Sequence, residues 1–564
     1  MPHSARLRFV LILSLLSTAL SAAAQASLNV ESSKLSGKYL DSVRRFADSV
    51  LENGRDKYGA HHGPLFVDGL DVDTLEPVRW KKKGETWVLC DFANQQALMR
   101  TLDGFSTLTA DKKYRQAAED ATRDALSRLS ATNGLLYWGG HMAWDLEAER
   151  PVGQYPDIHE LKDHEPYFEL FWRVDPGKTK RLCGAIWAAH VLDWSLLDYN
   201  RHARTETSGE PQWDQSFNEN VEVPFPSVKE NLSFAMVTPS LMNAGVALAT
   251  LDNNSNALIC TRRLVYRWQQ ARDPKTGLSG GQLSYRKKDR AQEALGHVYT
   301  NINEAKIVAS YHQIDRYHHL PLAQMQEGER LLAHGGDCVA VGREFIDWAS
   351  EDLKVYAKYC YDVKSAHFIA LLTDGTPIRW QEAHAGYYNA ASFAPAKPDG
   401  YILWSYAQAF RLTHDPEHWK MEQNLARALG LGDIGQTPAD QPKLALDTVT
   451  NDWRFIYALL EMRRATGNQN FTKLACRIAD NLLKMQSASG LFPRPGRHFA
   501  RTGDEIPLAL LHLAAALQER DASLPQPVLD NAFFHCEYDG ELAPKKPGIE
   551  DNRVYDNSLF YGPN

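Results

Sequence analysis

Residues 133–145, NGLLYWGGHMAWD, place a single imidazole, His141, just after a Gly-Gly turn and between Trp138 and Trp144. Glu160 follows inside YPDIHELKDHEPYFELFW, and His202 inside LDWSLLDYNRHAR. Two neutral imidazoles and one carboxylate form a recurring ligand set for a divalent transition metal: the rings supply nitrogen donors and the carboxylate supplies charge. With 20 histidines in the chain, the spacing alone fits packed core histidines equally well. No HExxH sequence occurs, which removes the zinc-protease arrangement. His159 and His164 flank Glu160 and compete with it for ligand duty.

The elements that must carry these residues read mainly as helices. From Arg181 to Arg201 the pattern predicts one helix, with Trp187, Val191, Trp194, Asp198 and Arg201 along one stripe. His202 would then lie about 100° further round the same helix. A unit also recurs: a helix, a threonine-containing turn, an aromatic residue, and a second helix with small residues at helical spacing. It begins at Thr109 before RQAAEDATRDALSRL, at Thr413 before KMEQNLARAL and at Thr466 before TKLACRIADNLL. Repeated helical hairpins joined by long polar and aromatic loops point to an all-α fold, an α/α toroid or barrel whose inner helices surround a cleft. An open solenoid suits such irregular repeats less well.

Three segments are expected along the chain. Residues 1–26 read as a secretory signal, because Arg6 and Arg8 precede an apolar run from Phe9 to Leu20 that ends near Ala24-Gln25-Ala26. Residues 27–523 form the helical domain, over which the non-helical stretch Gly63 to Trp80 folds. Residues 524–564 lose the helical period, gain proline and glycine, and are expected to add short strands. The mature chain is therefore expected to be exported, periplasmic or secreted, and off the membrane. A formal charge of −8 argues against nucleic acid as a partner. The seven cysteines show no CxxC pair, so neither a zinc ribbon nor a dense disulfide framework is indicated. Fourteen tryptophans and 23 tyrosines supply flat faces suited to sugar rings, although they also fill cores.

WGGHMAWD, HELKDHEPYFELFWRVDP and LDYNRHAR resemble the polysaccharide lyase family 2 pectate lyases, with the likeness running from about residue 40 to 515. The resemblance implies an (α/α)7 barrel. It also implies His141, Glu160 and His202 as ligands of a catalytic metal, manganese before calcium or nickel, and Arg201 as the base. The implied reaction is β-elimination in a 4-linked polyuronate, galacturonan first, where the C5 hydrogen is acidified by the neighbouring carboxylate. Arginine is a demanding base, since guanidinium ordinarily stays protonated. If Arg201 binds the substrate carboxylate instead, the proton falls to Tyr167, His159 or His164.

Other residues are candidates for substrate contact: Trp144 and Trp194 as stacking faces, Tyr285 and Arg290 in the basic stretch 280–296, His384 and Tyr388 in 379–393, and Arg497 on a proline-glycine loop. The expected partner is an acidic polysaccharide or oligosaccharide, met by a monomer. Two readings compete with a lyase. One is a toroid glycoside hydrolase drawing a carboxylic acid pair from Asp145, Glu160, Glu165 and Glu169. The other is an exported glycan-binding protein without turnover.

Overall fold

The computed structural model describes residues 32–527 except 162–164, 208, 230–231, 289, 301, 310–314 and 380–389, together with 529, 534, 536–538 and 554–555. Residues 1–26, expected to be a secretory signal, lie outside them.

Fifteen helices are described: α1 (32–53), α2 (Gln96–Thr109), α3 (Lys112–Arg128), α4 (Phe168–Val174), α5 (Pro176–His190), α6 (Thr238–Leu251), α7 (Ser255–Gln270), α8 (Arg290–Leu295), α9 (Arg316–His334), α10 (Cys338–Cys360), α11 (Gly400–Thr413), α12 (Pro416–Ala428), α13 (Arg454–Thr466), α14 (Gln469–Leu483) and α15 (Ile506–Leu517). Neighbouring contacts run α4 to α6, α9, α11, α13 and α15, and α15 packs on α2. Tyr167, at the start of α4, donates its hydroxyl to Asp103 of α2 at 2.7 Å, which joins the last pair. The remaining long helices pack outside this ring. The first of them, α1, sits between α14 and α3: Tyr39 bonds Cys476 and Asp480, and Asp48 accepts from the Tyr114 hydroxyl. The architecture is the expected all-α toroid of α/α hairpins.

The threonine turns explain how each hairpin reverses. Thr109, Thr413 and Thr466 each return a hydroxyl to the carbonyl four residues back, at 2.7 Å, as the inner helix ends. The next residue, Ala110, His414 or Gly467, takes the left-handed conformation that stops the helix. Asp111, Asp415 and Asn468 then cap the outer helix by accepting a backbone N–H. One three-residue device thus ends one helix and begins another.

The inner helices are buried nearly all round, as in α6 and α15. Their crossing depends on small residues. A Cβ at Gly245 of α6 would lie 1.9 Å from Thr261 Oγ1 on α7 and 3.3 Å from the Trp187 ring. Turning that hydroxyl aside would break its bond to the Ala257 carbonyl. Gly245→Ala is therefore expected to cost about 1–3 kcal/mol by overpacking. A melting curve equal to that of the unsubstituted protein would overturn this.

Short strands decorate the end of the ring where the inner helices begin. The first is β1 (Gly69–Asp71), which pairs antiparallel with Phe499–Arg501. A four-stranded sheet follows in the order β2 (Arg79–Lys82), β3 (Glu85–Cys90), β4 (Met142–Asp145), β5 (Arg150–Gly153). The C-terminal extension packs against it, with the Phe534 and Tyr538 rings edge-on to Trp80, and Glu537–Tyr538 pairs with Val554–Tyr555. All seven cysteines are buried, and no disulfide joins any of them.

One expectation is corrected here. The helix predicted from Arg181 to Arg201 stops at His190, and the chain turns into a hairpin of β7 (Val191–Asp193) and β8 (Asp198–Tyr199). The Asp193 carboxylate collects the backbone N–H groups of Ser195 and Leu196 and the Ser195 hydroxyl. That local turn outcompetes a continuing helix. Trp194 consequently packs on Trp187 and Trp213, at centroid separations of 5.8 and 5.3 Å, and Arg201 belongs to no helix.

Candidate metal centre and active site

The site is assembled by a two-stranded ladder. Antiparallel β6 (Ile158–Glu160) and β9 (His202–Arg204) set Glu160 directly opposite His202, so both side chains leave on the same face. Gly139 adds a parallel bridge to Glu160, which carries His141 to the same place. That loop is held from below by Asp91, whose carboxylate accepts the Gly139 N–H at 3.0 Å. Burial and the charge of Asp68 raise the Asp91 carboxyl well above the usual range. On the other side, Gly153 carries φ +141°, and a Cβ there would come within 2.2 Å of the His141 carbonyl oxygen. A glycine is what lets the β4–β5 hairpin close against the histidine.

Three cationic or imidazole groups converge on one carboxylate. His141 Nε2 is 3.2 Å from Glu160 Oε2, His202 Nε2 is 3.3 Å from Oε1, and Arg201 Nε is 3.4 Å from Oε1. The ligand atoms of His141, Glu160 and His202 lie within 4.8 Å of one another, the one such group of three among the described residues. Glu160 is fully buried, whereas the His202 side chain keeps 33% of its surface in solvent. His202 Nε2 itself is shielded and makes no hydrogen bond to any described residue. A buried imidazole nitrogen facing a carboxylate without a hydrogen bond is a donor set suited to a divalent cation. The Arg201 guanidinium lies over the Phe234 ring, 5.5 Å from its centroid.

The rival residues have other duties. His159 neighbours Glu160 on β6, so strand alternation turns it to the opposite face. There its two ring nitrogens meet the Trp138 indole and His190, each at 2.9 Å, and it is not placed to bind a metal with Glu160. His190, buried beneath it, has its pKa pushed down to about 3 by desolvation. Tyr167 is engaged with Asp103, and burial raises its phenol far above the ordinary value. His164 lies outside the described residues.

Carboxylic acids that a hydrolase would pair are likewise committed. Asp145 accepts the N–H groups of Val88 and Glu147. Glu165 is fully buried, accepts the Leu529 N–H and is pushed up to about 7 by desolvation. Glu169 is bridged to Arg330 at 3.2 Å.

A cavity of about 800 Å³ occupies the opposite end of the ring, along the later turns of the inner helices. None of the three ligand candidates lines it, and arginines such as Arg411 and Arg464 are each bridged to a carboxylate there. Its size is not a sign of the reaction centre.

Among the candidates for substrate contact, Trp144 and Trp194 are 8% and 7% exposed and belong to the packed core. Tyr285 pairs with Pro226 on a short parallel ladder. Arg497 lies half-buried over Phe499. His384, Tyr388 and the Arg290 side chain fall outside the described residues. Sequence reasoning passed over Tyr155, which is 45% exposed and stands edge-on to His141 at 5.2 Å. Its signal was an aromatic residue after a Gly-Gln turn, between two ligand positions.

Residues 63–537 match the family model described as periplasmic pectate lyase. The pectate disaccharide-lyase of Dickeya dadantii (strain 3937) is 26% identical over 555 residues, covering 93% of this chain and 94% of that protein. Solved structures with a distant likeness include a glycoside hydrolase family 76 mannosidase from Bacteroides thetaiotaomicron VPI-5482, with a TM-score of 0.40 at 10% identity over 86% of this chain and 100% of that one. A cellobiose 2-epimerase from Spirochaeta thermophila DSM 6192 gives 0.40 at 11% identity over 81% of this chain and 98% of that one. With residues 63–537 matched by that family model, the chain belongs to the periplasmic pectate lyase family and is a polysaccharide lyase.

Proposed function

We propose that this protein is an exported, metal-dependent lyase that cleaves 4-linked galacturonan by β-elimination. The reading is carried by one observation: His141, Arg201 and His202 converge on the buried Glu160 at the solvent-reachable mouth of the ring. His141, Glu160 and His202 would hold the metal, with manganese as first choice and calcium or nickel next. When bound, it supplies Lewis-acid stabilisation of the charge that develops on the uronate carboxylate.

Arg201 is the group best placed to take the C5 proton, a role that needs its guanidinium neutral, the form that a neighbouring dication and exclusion of water would favour. Among the described alternatives, His159 and Tyr167 are both occupied by buried hydrogen bonds. As the C5–H bond breaks, its electron pair forms the C4=C5 bond and expels O4, which takes a proton from water, leaving a 4,5-unsaturated uronate and a free hydroxyl on the departing sugar. The exposed ring of Tyr155 offers a face for a sugar beside the reacting residue. Export is supported by the family description and by the finding that, among the described residues, no helix is long and apolar enough to cross a membrane. The protein is taken to act as a monomer on its acidic substrate.

EDTA treatment followed by dialysis is expected to abolish the rise in ultraviolet absorbance on polygalacturonate, and Mn²⁺ to restore it. Full activity after verified metal removal would overturn the metal requirement. Release of saturated sugars without the absorbance change would replace the lyase by a hydrolase.

A further inference from the structure

Behind the β6–β9 ladder runs a chain of hydrogen bonds, buried except at its partly buried Asn200 end, that no catalytic step uses. Trp138 Nε1 donates to His159 Nε2 at 2.9 Å, His159 Nδ1 meets His190 Nε2 at 2.9 Å, and His190 Nδ1 meets the Asn200 carbonyl at 2.7 Å. His159 and His190 both have no exposed surface. The two ends of the chain fix every proton in it. An indole N–H can only donate, so His159 Nε2 accepts and its proton sits on Nδ1. A carbonyl can only accept, so His190 Nδ1 carries the second proton. His190 Nε2 is then the acceptor for His159, and both rings are neutral.

The members of this relay are spaced along the chain in a particular way. Trp138 immediately precedes the Gly-Gly turn that leads to His141, His159 immediately precedes Glu160, and Asn200 immediately precedes Arg201 and His202. His190 sits at the last turn of α5, and the Asn200 N–H returns to the His190 carbonyl at 2.9 Å, so α5 and the ligand-bearing segment are tied in both directions. One buried line of donors and acceptors therefore joins the backbone segments that present all four site residues.

We propose that His190, acting through His159 and the Asn200 carbonyl, is a positioning residue that sets the separation of Glu160 from His202 and Arg201. The inference rests on the metal reading above. Partners beyond the ligands themselves fix ligand orientation, and their loss lowers metal affinity by about 10–100-fold. Here the partner acts on the backbone of each ligand segment, because the ring of His202 and the carboxylate of Glu160 lie on the opposite face of the ladder.

The test uses the full-length protein titrated with Co²⁺ and Mn²⁺. His190→Leu removes both bonds and is expected to raise the dissociation constant about 10–100-fold and to shift the visible absorption of the Co²⁺ form. His190→Gln keeps an acceptor near His159, and His190→Asn keeps a donor near the Asn200 carbonyl, so each is expected to lose less than His190→Leu. If His190→Leu does not fold, the Asn and Gln variants decide by the same two readouts. Unchanged affinity and an unchanged Co²⁺ spectrum in the folded variants would overturn the positioning role, including where the melting temperature falls. Failure of the unsubstituted protein to bind either metal would instead overturn the metal reading, and this inference with it.

Discussion

His202→Ala is expected to remove bound metal and lyase activity together. Its imidazole nitrogen is one of two in the three-residue ligand set, and it approaches the same carboxylate oxygen that Arg201 faces. With it gone, Glu160 and His141 offer one carboxylate and one ring, too few for a structured divalent site. The charge that builds on the substrate carboxylate then loses a stabilisation of several kcal/mol. At about 1.4 kcal/mol per tenfold, a loss of about 4 kcal/mol lowers kcat/KM roughly 10³-fold. The side chain is one-third exposed, so the fold is expected to survive and the melting temperature to move little. The decisive pair of measurements is metal content by elemental analysis and the rate of unsaturated-product formation. A variant that kept full metal and rate would remove His202 from the site.

Arg201→Lys is expected to separate the two functions. Lysine keeps a nitrogen base beside Glu160 but loses the planar fork that reaches over Phe234, so its amine is not held where the proton is taken. Metal content should therefore stay at its original level while kcat falls about 10²–10⁴-fold, the range for loss of a positioned proton acceptor. KM is expected to change much less than kcat, because the proton is transferred in the transition state and not on binding. A rise in KM with kcat intact would make Arg201 a carboxylate-binding group and return the base to another residue. Unchanged kinetics would end both roles. The two variants together distinguish a residue that holds the metal from one that works beside it.

Much of the fold was legible because its signals are local. The threonine at the end of α2, α11 and α13, a left-handed residue after it, and an Asp or Asn cap are contiguous in the chain, and they repeat as the hairpins do. The helical period of the inner elements is likewise a property of a dozen neighbouring residues. The stretch after His190 was misread because Trp194, Asp198 and Arg201 happen to continue the spacing of a helix. Periodicity takes no account of an aspartate side chain that captures two backbone N–H groups and starts a hairpin instead. The consequence matters for the site, since His202 is presented by a strand opposite Glu160 and not by a helix end.

The sequence by itself determined the class of the protein: helical hairpins in number, and three short segments whose residues resemble a lyase family. It also named the three residues that meet at Glu160: His141, Arg201 and His202. Only the tertiary structure separated His159 from His141 and His202. His159 and Glu160 are adjacent in the chain, yet the pleat of β6 sends them to opposite faces, one into a buried relay with His190 and the other to the mouth of the ring. Tertiary packing likewise sank Trp144 and Trp194 into the core, brought Tyr155 beside His141, and placed a cavity of about 800 Å³ whose lining includes none of His141, Glu160 and His202. The reason is physical: helix caps and periods are set by interactions a few residues long. The direction of a side chain at a site is set by strand register and by hydrogen bonds between segments far apart in the chain, which composition and spacing do not encode.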